Sequence, residues 1–160
     1  MTENTEKALA SYLTFTLGDE YFAASIQKVR EVLEMQPITR IPKSSAFARG
    51  ILNLRGNVLP IFDTRLKFGL EKVTDSPKTR IIVLEINYQK ESLLVGAVVD
   101  NALDVVQYSS DEIIPPPSLE DYKNAVFVEG ILKLDEVFVM LINVDKIFSP
   151  SEMDSLTEMA

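Results

Sequence analysis

Arg55 is the residue best placed for chemistry. It opens the tripeptide Arg55-Gly56-Asn57, between the two short apolar runs 48–54 and 58–62. Runs of that length suit strands, and Gly-Asn supplies a tight turn. The segment reads as a β-hairpin with a guanidinium at its tip, always charged and able to bond a carboxylate or carbonyl in two places. This is recognition chemistry, because no catalytic base accompanies it. The chain has no histidine and no cysteine, which excludes Ser-His and Cys-His nucleophile pairs, Cys/His zinc sites, disulfides and a phosphohistidine relay within the chain. Glu31 and Asp63 are candidate paired acids for hydrolysis, but no nucleophile, phosphate cradle or cofactor motif lies near them. Asp100, Asp104, Asp111 and Glu112 could imitate a carboxylate metal cluster, yet their dispersal along a strand and a loop reads as a solvated set. No catalysis, metal or cofactor is expected.

The 160 residues, 46% of them hydrophobic, allow one compact domain or two small ones sharing a core. The net charge is −8, from 16 basic and 24 acidic residues. Lys67 and Lys72 form no basic stripe, so nucleic acid and anionic membranes are poor partners, and a basic protein surface is a better one. Charges interrupt every apolar run short of the roughly 20 residues that span a bilayer. The polar start, residues 1–7, is not a signal peptide. These features point to a cytoplasmic protein with no direct membrane insertion.

The elements that must position Arg55 follow from periodicity. Residues 12–17 alternate as a strand, residues 18–20 turn, and residues 21–24 return. Ile26, Val29, Val32 and Leu33 have helix-like spacing, read as a short helical turn followed by a strand. Pro37 and Pro42 end that unit. Pro60 lacks an N–H, which places the second arm of the hairpin at an edge or a bulge. Residues 63–68 can form one helical turn, and the polar loop 71–78 is the best subdomain boundary. Residues 80–87 are nearly all apolar, as in a strand buried on both faces. Strands at 93–99 and 103–106 follow, then a stiff loop at 113–122 around Pro115, Pro116 and Pro117. A last hairpin, 127–134 and 137–143, turns about Asp135-Glu136. Ser149 with Glu152 forms a capping box, with Pro150 at the first position of a C-terminal helix.

The two halves repeat. Phe47, Gly50, Ile51, Leu52, Leu54 and Phe68 recur as Phe127, Gly130, Ile131, Leu132, Leu134 and Phe148, at an offset of roughly 80 positions. Ile41-Pro42 matches Ile114-Pro115, and residues 29–32 match 102–105, at roughly 73. Each copy holds about five short strands, which suits a small barrel, and one copy alone has too thin a core. The expected fold is therefore mainly β: two five-stranded barrels packed together, with a short C-terminal helix. The expected domain is 10–155, with barrels at about 10–70 and 79–148, free to exchange strands, and flexible tails at 1–9 and 156–160. The groove between two such barrels is a natural binding site. The turn matching Arg55-Gly56 reads Asp135-Glu136, so the turn itself demands neither Arg nor Gly, and Arg55 reads as functional. Gly50, matched by Gly130, reads first as a backbone requirement. Gly96 aligns with Ala23 and reads as close packing against backbone, of this chain or of a partner.

The residues 15–20, 26–32, 50–68, 95–100 and 143–148, and above all Asn53-Leu54-Arg55-Gly56 with Pro60-Ile61-Phe62-Asp63, resemble the CheW family, the adaptors of bacterial chemotaxis. The resemblance runs over about 12–153. It implies a non-catalytic coupling protein of two SH3-like barrels around a shared apolar interface. Its implied partners are the cytoplasmic tips of methyl-accepting chemoreceptors and the regulatory domain of the histidine kinase CheA, with recruitment to membrane-associated receptor arrays. By motif position it places coupling contacts on Val29, Glu31, Val32, Gly50, Asn53, Leu54, Arg55, Gly56, Gly96 and Val98. On residue type alone, Val29, Val32 and Val98 are more often core than contact. Two other functions stay open: a similar coupling protein in a pathway that does not control swimming, and a small-ligand-binding β-barrel.

Overall fold

A computed structural model describes residues 8–116 and 126–159. The head 1–7, Pro117 and Tyr122 of the proline loop, and Ala160 lie outside the described residues. The chain runs β1 (Leu9–Leu17), β2 (Glu20–Ser25), a 3-10 turn (Ile26–Lys28), β3 (Val29–Glu34), β4 (Ala48–Leu54), β5 (Asn57–Asp63) and α1 (Thr64–Lys67). It continues through β6 (Arg80–Tyr88), β7 (Glu91–Val99), β8 (Asn101–Ser109), a 3-10 turn (Ser110–Glu112), β9 (Val128–Leu134), β10 (Val137–Ile142), a 3-10 turn (Val144–Lys146) and α2 (Pro150–Met159). Among the described residues no helix is long and apolar enough to cross a membrane.

Two five-stranded sheets result, in the orders β8-β1-β2-β10-β9 and β3-β6-β7-β5-β4. Neither sheet is a contiguous stretch of chain. Sheet one takes β1 and β2 from the first repeat and β8, β9 and β10 from the second. Sheet two takes the complementary five. The repeat is visible in the register. Ile61 of β5 pairs in parallel with Gly96 of β7, where Leu141 of β10 pairs with Ala23 of β2. Val32 pairs with Ile82 where Val105 pairs with Leu13. In each sheet the segment after one edge strand also bridges to the other edge strand. Thr39 and Ile51 exchange backbone hydrogen bonds of 2.9 and 2.8 Å beside β4, and Ile114 and Ile131 exchange bonds of 2.8 and 2.7 Å beside β9. Thr39, rather than Ile41, is thus the counterpart of Ile114; the shared Ile-Pro pairs at 41–42 and 114–115 had suggested a different alignment.

Burial sorts into three apolar clusters. Leu52, Leu59, Ile61, Ile81, Val83 and Val98 fill sheet two from inside. Tyr12, Ala23, Leu132, Val139 and Leu141 fill sheet one. The largest cluster lies between the sheets and includes Phe15, Phe22, Phe62, Ile82, Leu84, Val95 and Phe148. Its rings touch in series: Phe15 stacks on Phe22 at 5.7 Å, Phe22 meets Phe68 at 5.4 Å, and Phe68 stacks on Phe127 at 4.2 Å. Strand β6 explains its continuous apolar sequence here, since one face enters the barrel and the other enters this shared layer.

Three expectations need correction. Pro60 is not on an edge strand, since β5 lies between β7 and β4. It is tolerated because its partner Ile51 turns both backbone groups toward Thr39, and pairing with β7 begins only at Ile61. The chain is ordered past position 155: α2 continues to Met159 and Leu156 is buried. Strand β1 likewise starts at Leu9, inside the expected tail. The helix start is as the sequence reads, with Glu152 Oε1 accepting from Ser149 N at 2.8 Å and Ser149 Oγ accepting from Glu152 N at 3.2 Å.

Fragments 8–70 and 79–159 each contain parts of both sheets and the whole of neither. Expressed alone, each is expected to lack cooperative structure by circular dichroism, and co-expression should restore a single melting transition. Two halves that melt cooperatively by themselves would contradict the reciprocal sheet assignment.

Candidate functional site

The β4–β5 hairpin turns at Arg55 and Gly56, with φ of 49° and 88°. Positive φ at both central residues matches the strand twist of a two-residue hairpin. Asn53 fixes the turn, its Oδ1 accepting from Gly56 N at 2.8 Å. In the second hairpin only Asp135, at φ 54°, is left-handed. The two turns therefore differ in backbone, and Gly56 has a conformational role that the comparison with Glu136 had hidden.

Arg55 reaches across the barrel mouth to Glu31 on β3, with Nη1 3.4 Å from Oε1 and Nη2 bonded to Oε2. Strands β3 and β4 are the two edges of sheet two, so this ion pair helps to close the barrel. The equivalent positions in sheet one hold Asp104 and Asp135, two acids that cannot pair. That barrel is latched instead by Tyr108 Oη, which donates to Lys133 O at 2.8 Å. The Arg55 side chain stays 68% exposed, so a partner can reach it. Asp63 is not a free acid beside Glu31. Its Oδ1 caps α1 by accepting from Leu66 N at 3.2 Å, and its Oδ2 lies 3.5 Å from Arg49 Nε.

A bulge at Arg30 shapes the neighbouring surface. Val29 pairs with Leu84, Glu31 with Val83 and Val32 with Ile82. Leu84 and Ile82 face the layer between the sheets, and so do Val29 and Val32. Val29 packs against that layer, whereas Val32 remains 41% exposed at its margin. Glu31, on the opposite face, turns to Arg55. The helix-like spacing of Val29 and Val32 is thus a bulged strand.

Four residues expected as contacts lie inside. Val98 is 5% exposed in the sheet-two interior, and Leu54 packs against the same cluster. A Cβ at Gly96 would stand 2.4 Å from Ile61 Cδ1 and 2.9 Å from Ile81 Cγ2, so its close approach is to side chains of this chain. A Cβ at Gly50, where φ is +138°, would stand 2.0 Å from Thr39 O. Val29 and Val32 therefore share a face that Val98 does not, and no single groove collects all three. Arg55, Glu31, Asn53 and Gly56 do come together at the rim, whereas Val32, next to Glu31 in the chain, lies on the other face of β3.

Sequence reasoning missed the remaining ion pairs. Arg65 donates Nε to both oxygens of Asp100 at 3.0 Å, and Asp100 Oδ2 accepts from Gly18 N at 2.5 Å. Asp100 is therefore no part of a solvated acidic set, and among the described residues no group of three or more acids could hold a metal ion. Lys28 Nζ binds both oxygens of Asp145 at 3.0 and 2.9 Å. Arg49 forks onto Asp75 at 3.1 and 2.7 Å, strapping the loop 71–78 to β4. The hydrogen bond from Arg49, aided by its charge and that of Lys72, holds the Asp75 carboxyl below its usual range against a smaller effect of burial. Burial opposes ionisation of Asp100, but the Arg65 hydrogen bond, the Gly18 N–H and the Arg65 charge together outweigh it.

Both carboxyls thus have folded values below their unfolded ones, so each stabilises the fold above about pH 4 and loses that contribution as pH falls through the folded value. Asp75→Asn and Asp100→Asn are each expected to lower stability at pH 7 and to flatten its decline between pH 5 and 3, measured by urea unfolding at each pH. A decline as steep as in the native chain would contradict these assignments.

Gly50→Ala combines left-handed strain with a backbone clash, each of about 1–3 kcal/mol. It should destabilise more than Gly130→Ala, whose Cβ meets the side chain of Ile113 at 2.4 Å. Val98→Asp places an unpaired charge in the barrel and should abolish cooperative folding. Thermal melts of the three variants give the ranking, and a folded Val98→Asp would return that residue to the surface.

Comparison with known proteins now adds the family. The family model described as a CheW-like domain matches residues 11–152. The chain is 34% identical to the chemotaxis protein CheW of Klebsiella aerogenes over 142 residues, covering 89% of this chain and 83% of that one. It is 32% identical to CheW of Helicobacter pylori, covering 91% and 84% of the two chains. The crystal structure of the scaffolding protein TtCheW from Thermoanaerobacter tengcongensis superposes with a TM-score of 0.78 at 33% identity, covering 89% of this chain and 94% of that one. Its two five-stranded sheets, its rim motif and a match over nearly its whole length make this chain a member of the CheW-like domain family.

Proposed function

We propose that the chain is a non-catalytic adaptor that couples the cytoplasmic tips of chemoreceptors to the regulatory domain of the histidine kinase CheA. The observation that carries this reading is the exposed rim of sheet two. There a guanidinium is held by one carboxylate yet open to solvent, and Val32 is exposed on the other face of the same edge strand as that carboxylate. A helical receptor tip can use both features of such an edge, an apolar contact at Val32 and a charged residue that fixes register. Both barrel interiors are filled by their own side chains, which argues against a small-ligand barrel. On this reading Arg55, Glu31, Val32, Asn53 and Gly56 meet the partner. Gly50, Leu54, Gly96 and Val98 act by shaping the strands that carry them.

Charge reversal tests the rim. Arg55→Glu and Glu31→Arg are each expected to keep the fold and to lower kinase activation in reconstituted receptor–kinase complexes. The double reversal rebuilds the internal pair with its polarity inverted. It should recover native melting without recovering activation, because the partner reads the sign of the charge at the tip. Unchanged activation in a folded Arg55→Glu variant would remove the rim from the coupling surface. Full recovery in the double reversal would reduce the pair to a barrel latch.

A further inference from the structure

The chain crosses between its sheets at two places that the internal repeat makes equivalent, and each crossing is tied by an ionic clasp. At the first, Asp100 joins β7 of sheet two to β8 of sheet one, its own N–H donating to Thr16 O at 3.0 Å. Its carboxylate accepts from Gly18 N in the β1–β2 turn of sheet one and from Arg65 of α1, which follows β5 of sheet two. Arg65 is held in turn by Glu71 O, which accepts from its Nη1 at 3.1 Å. At the second crossing, Lys28 lies in the turn that leads from β2 of sheet one to β3 of sheet two. It binds Asp145, in the turn after β10 of sheet one. Asp145 Oδ1 also accepts from Asn87 N, at 2.9 Å, near the hairpin end of β6 in sheet two.

The equivalence is close. Gly18 follows Leu17, which pairs with Glu20; Asn87 follows Ile86, which pairs with Leu93. Arg65 lies two residues after the capping Asp63, and Asp145 two residues after the capping Asn143. Each clasp joins a hairpin N–H, a carboxylate and a cation across both sheets. Their polarity is exchanged: the crossing segment supplies the acid in the first and the base in the second. Two independent solutions at equivalent places indicate a shared requirement. The apolar layer between the sheets is strongly cohesive but has little directional preference, whereas forked, charge-assisted bonds fix an angle. The clasp side chains are half-buried, at 14% and 29% exposed for Arg65 and Asp100 and 24% and 33% for Lys28 and Asp145, so solvent screens them less than it screens the pair at the rim.

We infer that Arg65–Asp100 and Lys28–Asp145 are the positioning residues of the adaptor: they set the orientation of one sheet against the other, and with it the relative placement of the receptor and the kinase. The functional half of this inference rests on the coupling role proposed above; the geometric half does not.

The absence of cysteine allows a clean measurement. Val58→Cys and Phe138→Cys occupy equivalent exposed places on the two hairpins, one in each sheet, at 47% and 64% exposed in the native residues. Spin labels there report the distance between sheets. The otherwise native chain is expected to give one narrow distance distribution. Arg65→Met and Asp145→Asn, each added to the labelled chain, should broaden or shift it. The triple change Arg65→Asp, Asp100→Gln, Asn101→Lys rebuilds the first clasp with the residues of the second, and should restore the narrow distribution. In unlabelled chains, Arg65→Met should retain receptor binding and lose kinase activation, and the triple variant should regain it. A distribution unchanged in folded Arg65→Met and Asp145→Asn overturns the clasps. A broadened distribution with native activation overturns their role in coupling. If the native chain itself fails to activate the kinase, the adaptor reading falls, and the label distances still decide whether the clasps orient the sheets. Should Arg65→Met melt below the assay temperature, Asp145→Asn keeps an acceptor for Asn87 and decides in its place.

Discussion

Phe15, Phe22, Ile82, Leu84, Val95 and Phe148 meet in the layer between the sheets, and neither sheet is independent of that layer. A five-stranded sheet of this size encloses only a small interior: among the described residues, six are buried in the cluster of sheet two and five in that of sheet one. Interiors so small sit at the margin of what apolar burial can stabilise. Reciprocal strand exchange removes the difficulty. Because β1 and β2 belong to the sheet completed by β8, β9 and β10, neither barrel can form without strands from both repeats. The two barrels and the layer between them must therefore appear together. The same exchange requires the chain to cross between sheets twice, and the ionic clasps lie at those crossings.

Much of this was legible in the sequence because it is local. The hairpin about Arg55, the capped turn at Asp63, the Ser149–Glu152 box and the short turn before β3 all follow from neighbouring residues. The repeat was legible as well, since Gly50 and Gly130 answer a common steric demand beside the bridged strands. Strand exchange was allowed for, but which strands exchange was not legible. Periodicity shows which residues face a core, but β1 has the same pattern whether it pairs with β8 or with β3. Pro60 misled for a related reason. Its missing N–H matters only if a neighbour needs it, and Ile51 turns its backbone to Thr39, some twelve positions away in sequence.

The candidate site divides along the same line. Arg55 and Asn53 were readable because turn chemistry exposes them. Gly96 and Val98 lie one and three residues from Val95, which faces the shared layer, yet they point into the barrel. Motif position along a strand does not say which face a residue occupies, because a single bulge, such as the one at Arg30, reverses the alternation. The ion pairs were invisible for another reason. Arg65 and Asp100, or Lys28 and Asp145, are far apart in the chain, and a charged residue has no periodic signature until its partner is known.

The duplicated barrels are most informative where they differ. Both close at the same edge, and both need a latch there. Sheet one uses an uncharged one, Tyr108 Oη on a backbone carbonyl, and leaves Asp104 and Asp135 at the positions equivalent to Glu31 and Arg55. Sheet two uses the ion pair and leaves a cation exposed at the tip. A backbone acceptor, once satisfied, offers little further recognition, whereas an exposed guanidinium paired on one side retains donors for another carboxylate or carbonyl. The two hairpins thus share an architecture and present opposite charge at their tips. The repeat supplies two similar frames, and substitution at the latch gives them unlike surfaces.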